Sequence, residues 1–175
     1  MTAPDTAQIQ AIRERPIEEQ IRYLADLAEI RDLLQRYCFL CDARVPHDIA
    51  SGAFTENAGD DHNIYGSEFT GRDGIESMFT RSNRTTEASA HFVANPLIEI
   101  DGDVAHGRTY VTGWHWHHDT AERGNVRPSD WVFSGVYVDR FQRTPDQGWL
   151  IADRRVEPLG PGATAHGARH GDYDG

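Results

Sequence analysis

Apolar residues in this chain recur at two periods, and the switch from the longer to the shorter divides it into a helical half and a sheet half. From Ile17 to about Arg44, Ile21, Leu24, Leu27, Ile30, Leu33, Leu34, Tyr37, Cys38 and Cys41 fall three or four positions apart. That spacing lines one face of a helix, with a break expected near Leu24–Asp26. Pro46 ends it, and a short helix is expected from Ile49 to Phe54. "HNIYG" (62–66) reads as a short strand and "GRDGIESMFTRS" (71–82) as another short helix. Beyond them, stretches near 89–100, 103–117, 129–143 and 148–157 read as strands. They are joined at Asp101-Gly102, at the polar loop "DTAERGNVRP" and at "TPDQG", all turn or loop chemistry. Helices followed by a run of antiparallel strands specify an α+β fold rather than α/β. Residues 1–16 are polar and expected to form a frayed arm. Residues 17–159 form one domain. The Gly-rich segment 160–175 is a tail that cannot bury enough surface to fold alone.

Composition narrows the function classes. The 175 residues hold 28 acidic and 17 basic side chains, for a net charge of -11. Such a balance disfavours nucleic acid and anionic membranes as partners. Every basic residue apart from histidine is arginine, so a lysine Schiff base is excluded. No stretch approaches the ~20 apolar residues of a membrane span, and no apolar signal core opens the chain; the expected location is the cytoplasm. Cys38 and Cys41 form a C-x-x-C pair, yet they sit within a helical pattern with no second pair, and read as small core packing.

Histidine draws more attention. His91 opens the strand "SAHFVANPLIEI" (89–100), where a histidine is ordinarily a satisfied core or edge residue. In "GWHWHHD", His115, His117 and His118 invite a metal reading. No third ligand at a recognisable spacing accompanies them, and alternation cannot make all three converge. No metal and no organic cofactor is therefore expected. Alternation also separates Trp114 and Trp116 from His115 and His117. The tryptophans are expected on the pocket wall and the histidines at the surface or a subunit contact. Trp131, Phe133 and Tyr137 complete an aromatic wall suited to a flat, apolar, cyclic or aromatic ligand.

Four segments in order, "LAEIRDLLQRYCFLCDAR", "YGSEFTGRDGIESMF", "SAHFVANPLIEIDGDVAHGRTYV" and "WVFSGVYVDRFQRTPDQGWLIADRRVEPL", carry a resemblance. From about Leu24 to Leu159 the chain resembles the SnoaL-like branch of the NTF2-like (cystatin-like α+β cone) superfamily. The resemblance implies helices packed in a strongly curved mixed or antiparallel sheet that encloses a conical pocket. It also implies site residues. In dehydratase and dehydrochlorinase members an Asp ends the first long helix and a catalytic His opens the strand after the helical half. Asp42 and His91 stand at those positions, as a carboxylate–imidazole pair in which His91 removes a proton. Tyr37 and Tyr65 match pocket tyrosines that could donate to a developing oxyanion, the other reading of each being a core aromatic. Arg154 matches a pocket arginine, with Arg155 as its rival for the inward face. Two departures stand out. No tryptophan follows Asp42 within three residues, and Trp114 occupies the place of a second pocket histidine unless His115 has shifted register.

The activity so implied is a cofactor-independent lyase of dehydratase type, or an isomerase, with retro-aldol deformylation within reach of the same machinery. The alternatives are the small structural β subunit of an aromatic-ring-hydroxylating dioxygenase, or a polyketide cyclase-like or ligand-binding protein. The exposed side of such a sheet must be covered, which implies a homodimer or homotrimer.

Overall fold

The computed structural model describes residues 6–62, 68–118, 128–160 and 163–164. Four helices are present, α1 (Thr6–Arg13), α2 (Ile17–Ala43), α3 (Pro46–Ala53) and α4 (Gly71–Ser82); α2, α3 and α4 pack on one curved, unclosed mixed sheet, and α1 contacts α2. Its strands are β1 (Phe54–Asp61), β2 (Phe69–Thr70), β3 (Thr86–Asp101), β4 (Val104–His117), β5 (Trp131–Thr144), β6 (Gly148–Pro158) and β7 (Ala163–Thr164). The sheet order is β2-β1-β6-β5-β4-β3, and β7 pairs with β5. All neighbours are antiparallel except β1 and β6. The parallel pair arises because β1 enters the sheet at the far edge, before the meander β3–β6 is laid down. The architecture is α+β, as the order of periods predicts.

Helix α2 organises the core. Ile30, Leu33, Leu34, Tyr37, Cys38 and Cys41 are its buried stripe, each large apolar side chain contributing about 1.5–3 kcal/mol by leaving water. The helix runs unbroken through Leu24–Asp26, where a break was expected, because Asp26 is fixed by tertiary contacts. Its carboxylate accepts two hydrogen bonds from Arg143 at 2.7 and 2.6 Å and one from Trp149 Nε1 at 3.2 Å. At the other end Arg44 adopts the left-handed conformation (φ 59°), unfavourable for a residue with a Cβ. Its guanidinium donates to the carbonyls of Asn83 and Glu87, both at 2.6 Å, which ties the end of α2 to the start of β3.

The β3–β6 strands match the expected ranges to within three residues at every end, some longer and some shorter, and α4 coincides with its expected range. Three differences are informative. Residues 6–13, read as part of a frayed arm, are helical. The second short helix begins at Pro46, three residues early, because proline suits a helix's first turn. A whole strand, β1 ("FTENAGDD"), went unread because its acidic, Gly-containing sequence has no apolar alternation; Ala58, Gly59 and Asp60 are nonetheless buried. Of "HNIYG" only His62 falls within the described residues, and it follows the strand. Most of the tail lies outside them.

Candidate functional site

The curved face of the sheet and helices α2 and α4 enclose a cavity of about 490 Å³. Tyr37 and Cys41 of α2, Met78 and Phe79 of α4, and the Arg81–Thr86 segment form one side. His91 of β3, His115 and His117 of β4, and Trp131, Phe133 and Tyr137 of β5 form the other, and His62 also lines it.

Asp42 follows Cys38 by one helical turn, which places it at the edge of the buried stripe, where α2 meets β3. It grips His91 at two points. Its Oδ1 lies 2.7 Å from His91 Nδ1, and its Oδ2 accepts the His91 backbone N–H at 3.0 Å. Ser89 Oγ adds a third bond to Oδ1 at 3.1 Å. A carboxylate only accepts, so the proton of a neutral imidazole sits on Nδ1 and Nε2 is left as the acceptor. Both side chains are largely shielded, 15% and 27% exposed for His91 and Asp42.

Across the β3–β4 ladder His91 faces Gly113. A Cβ at Gly113 would lie 3.0 Å from both His91 Cδ2 and His115 Cε1, so only glycine lets the two rings meet edge to face, 5.2 Å between centroids. His115 in turn stacks at 4.6 Å on Trp131.

Tyr37 is 1% exposed and meets Phe54, Phe79 and Tyr137 ring-edge first, with centroids 5.9–6.2 Å apart. Burial pushes its pKa well above that of an ordinary phenol, so it stays protonated. Its hydroxyl lies 3.4 Å from His62 Nε2, while His62 Nδ1 is 2.5 Å from Asp60 Oδ1. Burial likewise pushes the Cys38 thiol up to about 12 and that of Cys41 well up. Both are unpaired by disulfide and inert as thiolates, in keeping with core packing.

Three placements correct the reading from sequence. Trp114 and Trp116 do not line the cavity. They lie on the opposite face of β4, where Trp114 is 36% exposed and touches Phe92 at 5.0 Å; His115 and His117 point inward instead. The alternation was right and the face was wrong. The concave side lies close beneath its packing partners and admits the small residues Ala105, Gly107, Thr109, Val111 and Gly113. The bulky indoles are therefore left to the convex side.

Arg154 does face inward, while Arg155 is exposed, but Arg154 does not line this cavity. It is locked into a fully buried pair with Asp139, at 2.7 and 2.8 Å, and stacks over the Tyr137 and Tyr37 rings at 3.8 and 4.3 Å. Burial opposes its charge, yet the Asp139 carboxylate outweighs that and holds the guanidinium firmly cationic. Tyr65 lies outside the described residues.

Sequence reasoning missed His62 and mis-sided His115 and His117. Parity counted from the buried Ala105 and Val111 would have placed the latter two. Among the described residues no three His, Cys, Asp or Glu side chains converge as a metal-binding set, and no helix is long and apolar enough to cross a membrane.

Comparison with known proteins bears on the fold. A scytalone dehydratase candidate from Novosphingobium aromaticivorans superposes with a TM-score of 0.69 at 19% identity, covering 84% of this chain and 92% of its own. An aromatic ring hydroxylase candidate from the same organism gives 0.68 at 26% identity, with 86% and 96% covered. A hexachlorocyclohexane dehydrochlorinase gives 0.71 at 16% identity, with 86% and 95% covered. No curated protein matches the chain at the sequence level. Residues 22–155 match the SnoaL-like domain. With a cystatin-like, NTF2-like fold shared by its structural neighbours, this chain belongs to the SnoaL-like domain family.

Proposed function

We propose that the protein is a cofactor-independent lyase or isomerase in which His91, oriented by Asp42, removes a proton from carbon or hydroxyl of a flat, apolar cyclic or aromatic molecule. The observation that carries this reading is the grip of Asp42 on both the ring and the backbone of His91. A structural ion pair needs one such contact; fixing the tautomer and the orientation of a ring at a cavity wall is what a general base requires. The aromatic wall of Trp131, Phe133 and Tyr137 matches a planar ligand. The dehydratase candidate and the dehydrochlorinase among the structural neighbours lend support, since both names denote eliminations.

The chemistry balances without a cofactor. His91 Nε2 takes the proton, electrons move into a double bond, and the C–O bond to the adjacent carbon breaks, the departing hydroxyl leaving as water once it takes up a proton from an acidic group or solvent at the site. A double-bond shift uses the same first step. The test is deuterium uptake from D2O next to the carbonyl of cyclic aryl ketones, and water loss from their β-hydroxy derivatives, both read by mass spectrometry. His91→Ala should lower the rate on the order of 100-fold or more with an unchanged melting temperature. Neither reaction in the wild-type protein, over a panel of such ketones, would count against the lyase reading and favour a binding protein. The other reading, a structural small subunit of a ring hydroxylase, gains a little from the ring hydroxylase candidate among the neighbours, but such a subunit needs no oriented histidine.

A further inference from the structure

The cavity holds a second histidine–carboxylate unit. Asp60 is wholly buried, and His62 Nδ1, 2.5 Å away, is the hydrogen-bond partner of its Oδ1, while its Oδ2 has none among the described residues. A buried carboxylate with so little compensation is costly, and a strand as polar as β1 is a poor place to hide one for packing alone. His62 is 14% exposed by side chain and lines the cavity. Its other nitrogen points to the Tyr37 hydroxyl at 3.4 Å, long for a hydrogen bond, although such contacts commonly tighten once substrate binds. Behind them lie Asp139 and Arg154, and Asp139 is electrostatically coupled to both Asp60 and His62. Two buried carboxylates therefore lie beside a single guanidinium at this end of the cavity wall.

We propose that Asp60, His62 and Tyr37 form a proton relay that delivers a proton to an oxygen of the bound molecule, in the same cavity where His91 accepts one. In the delivering step the Tyr37 O–H bond breaks as the ligand oxygen takes the proton, and the Tyr37 oxygen takes the Nε2 proton of His62. Asp60 remains hydrogen-bonded to Nδ1 throughout. In an elimination the C–H proton goes to His91 Nε2, the C–O bond breaks and the departing oxygen leaves as water with the relay's proton. One proton enters the protein and one leaves, and solvent returns the two histidines to their starting states. Tyr37 is the group that touches the substrate; His62 and Asp60 act through it. The Arg154 guanidinium over the Tyr37 ring steadies the negative charge that builds on the phenol oxygen during transfer. The relay rests on the aromatic-ligand reading above and narrows it: the substrate carries an oxygen acceptor reaching the Tyr37 end of the cavity.

The test compares two probes of one shape, 2-acetonaphthone, whose carbonyl only accepts hydrogen bonds, and 2-ethylnaphthalene, which has no oxygen. The wild-type chain should bind the ketone more tightly. Tyr37→Phe, His62→Gln and Asp60→Asn should each reduce that preference about 3- to 10-fold, the worth of one hydrogen bond, and leave 2-ethylnaphthalene binding unchanged. Asp60→Asn removes a buried charge, so His62→Gln carries the result if that variant fails to fold. Long-range nitrogen–proton NMR of the full chain supplies a readout that packing alone would not move. Tyr37→Phe should shift the His62 ring signals and spare those of His91. Equal binding of the two probes by the wild-type protein overturns the relay and leaves the aromatic cavity standing. A lost preference in Tyr37→Phe alone overturns the role of His62 and Asp60. Binding of neither probe overturns both the relay and the aromatic-ligand reading.

Discussion

Two carboxylates on α2 show how differently one residue type is used along a single helix. Asp42 stands at a cavity edge and holds an imidazole; Asp26 stands in the core contact and holds an arginine. Replacing Asp42 by Asn keeps the shape but lets an amide nitrogen face His91 Nδ1, which releases the ring to the wrong tautomer. Under the proposed chemistry, Asp42→Asn should cost about 100-fold in rate with little change in melting temperature, measured side by side with His91→Ala. Asp26 predicts a stability effect instead. Burial opposes its charge, but hydrogen bonds from Arg143 and Trp149 outweigh that and hold its carboxyl below the ordinary 3.8. A group depressed in the folded state stabilises fully above its unfolded value, and that stabilisation is lost as pH falls through the folded one. Asp26→Asn should therefore destabilise the protein at neutral pH, on the order of 1.5–3 kcal/mol for hydrogen bonds to a charged group. It should also flatten the fall in stability below about pH 4. Urea titrations at pH 3, 4 and 7 check both; an unchanged acid slope would assign the acid sensitivity to other carboxylates.

At the scale of elements the β3–β4 hairpin decides the site. Asp101-Gly102, with Gly102 at φ 60°, sets a register in which Ile100 faces Ala105 and His91 faces Gly113. An irregularity between Ala94 and Leu97, where Asn95 has φ 52°, shifts the inward parity from His91 and Val93 to Ile98 and Ile100. Gly113→Ala should crowd the His91 and His115 rings and displace the dyad by a few tenths of an ångström. Activity should fall by at least about 10-fold, because a misplaced base is a poor one, while melting drops only slightly. A crystal structure of the variant with both rings unmoved would sink this. The hairpin also shows what was legible. Turn dipeptide and alternation predict both strands to within three residues, and the structure brings Asp42 and His91, the pair to which the resemblance pointed, into hydrogen-bond contact. The face was not legible, because alternation has no sign: indoles on one side and histidines on the other fit a cavity wall either way. His62 was hidden for another reason. It follows a strand whose buried residues are Ala, Gly and Asp, and a pattern built on apolar side chains cannot see it.

For the whole molecule, the open questions are what covers the convex face and what the cavity needs to work. Phe92, Leu97, Tyr110 and Trp114 are 36–55% exposed on the outer side of β3 and β4, a larger apolar display than scattered surface residues explain. We propose that further copies of this chain pack there, as a homodimer or homotrimer. Light scattering after size exclusion should give two or three times the 19.7 kDa chain mass, and Trp114→Glu should return it to the monomer. A wild-type monomer at micromolar concentration would refute the assembly. Each step assigned to the cavity moves a proton between named side chains and the substrate. In the proposed scheme His91 supplies the acceptor, fixed by Asp42. Tyr37, kept protonated by burial, supplies a donor. Such transfers need neither an electron sink nor a Lewis acid. His115 and His117 do point into the cavity, which makes a metal a sharper question than the sequence suggested. Yet His115 packs against the rings of His91 and Trp131, and His117 Nδ1 lies 3.3 Å from the Thr85 carbonyl. Turnover should accordingly persist after exhaustive dialysis against a strong chelator. If it is lost and one particular divalent metal restores it, His115 and His117 become the first ligands to mutate, and the proton-transfer scheme must be rebuilt around a metal-bound oxygen.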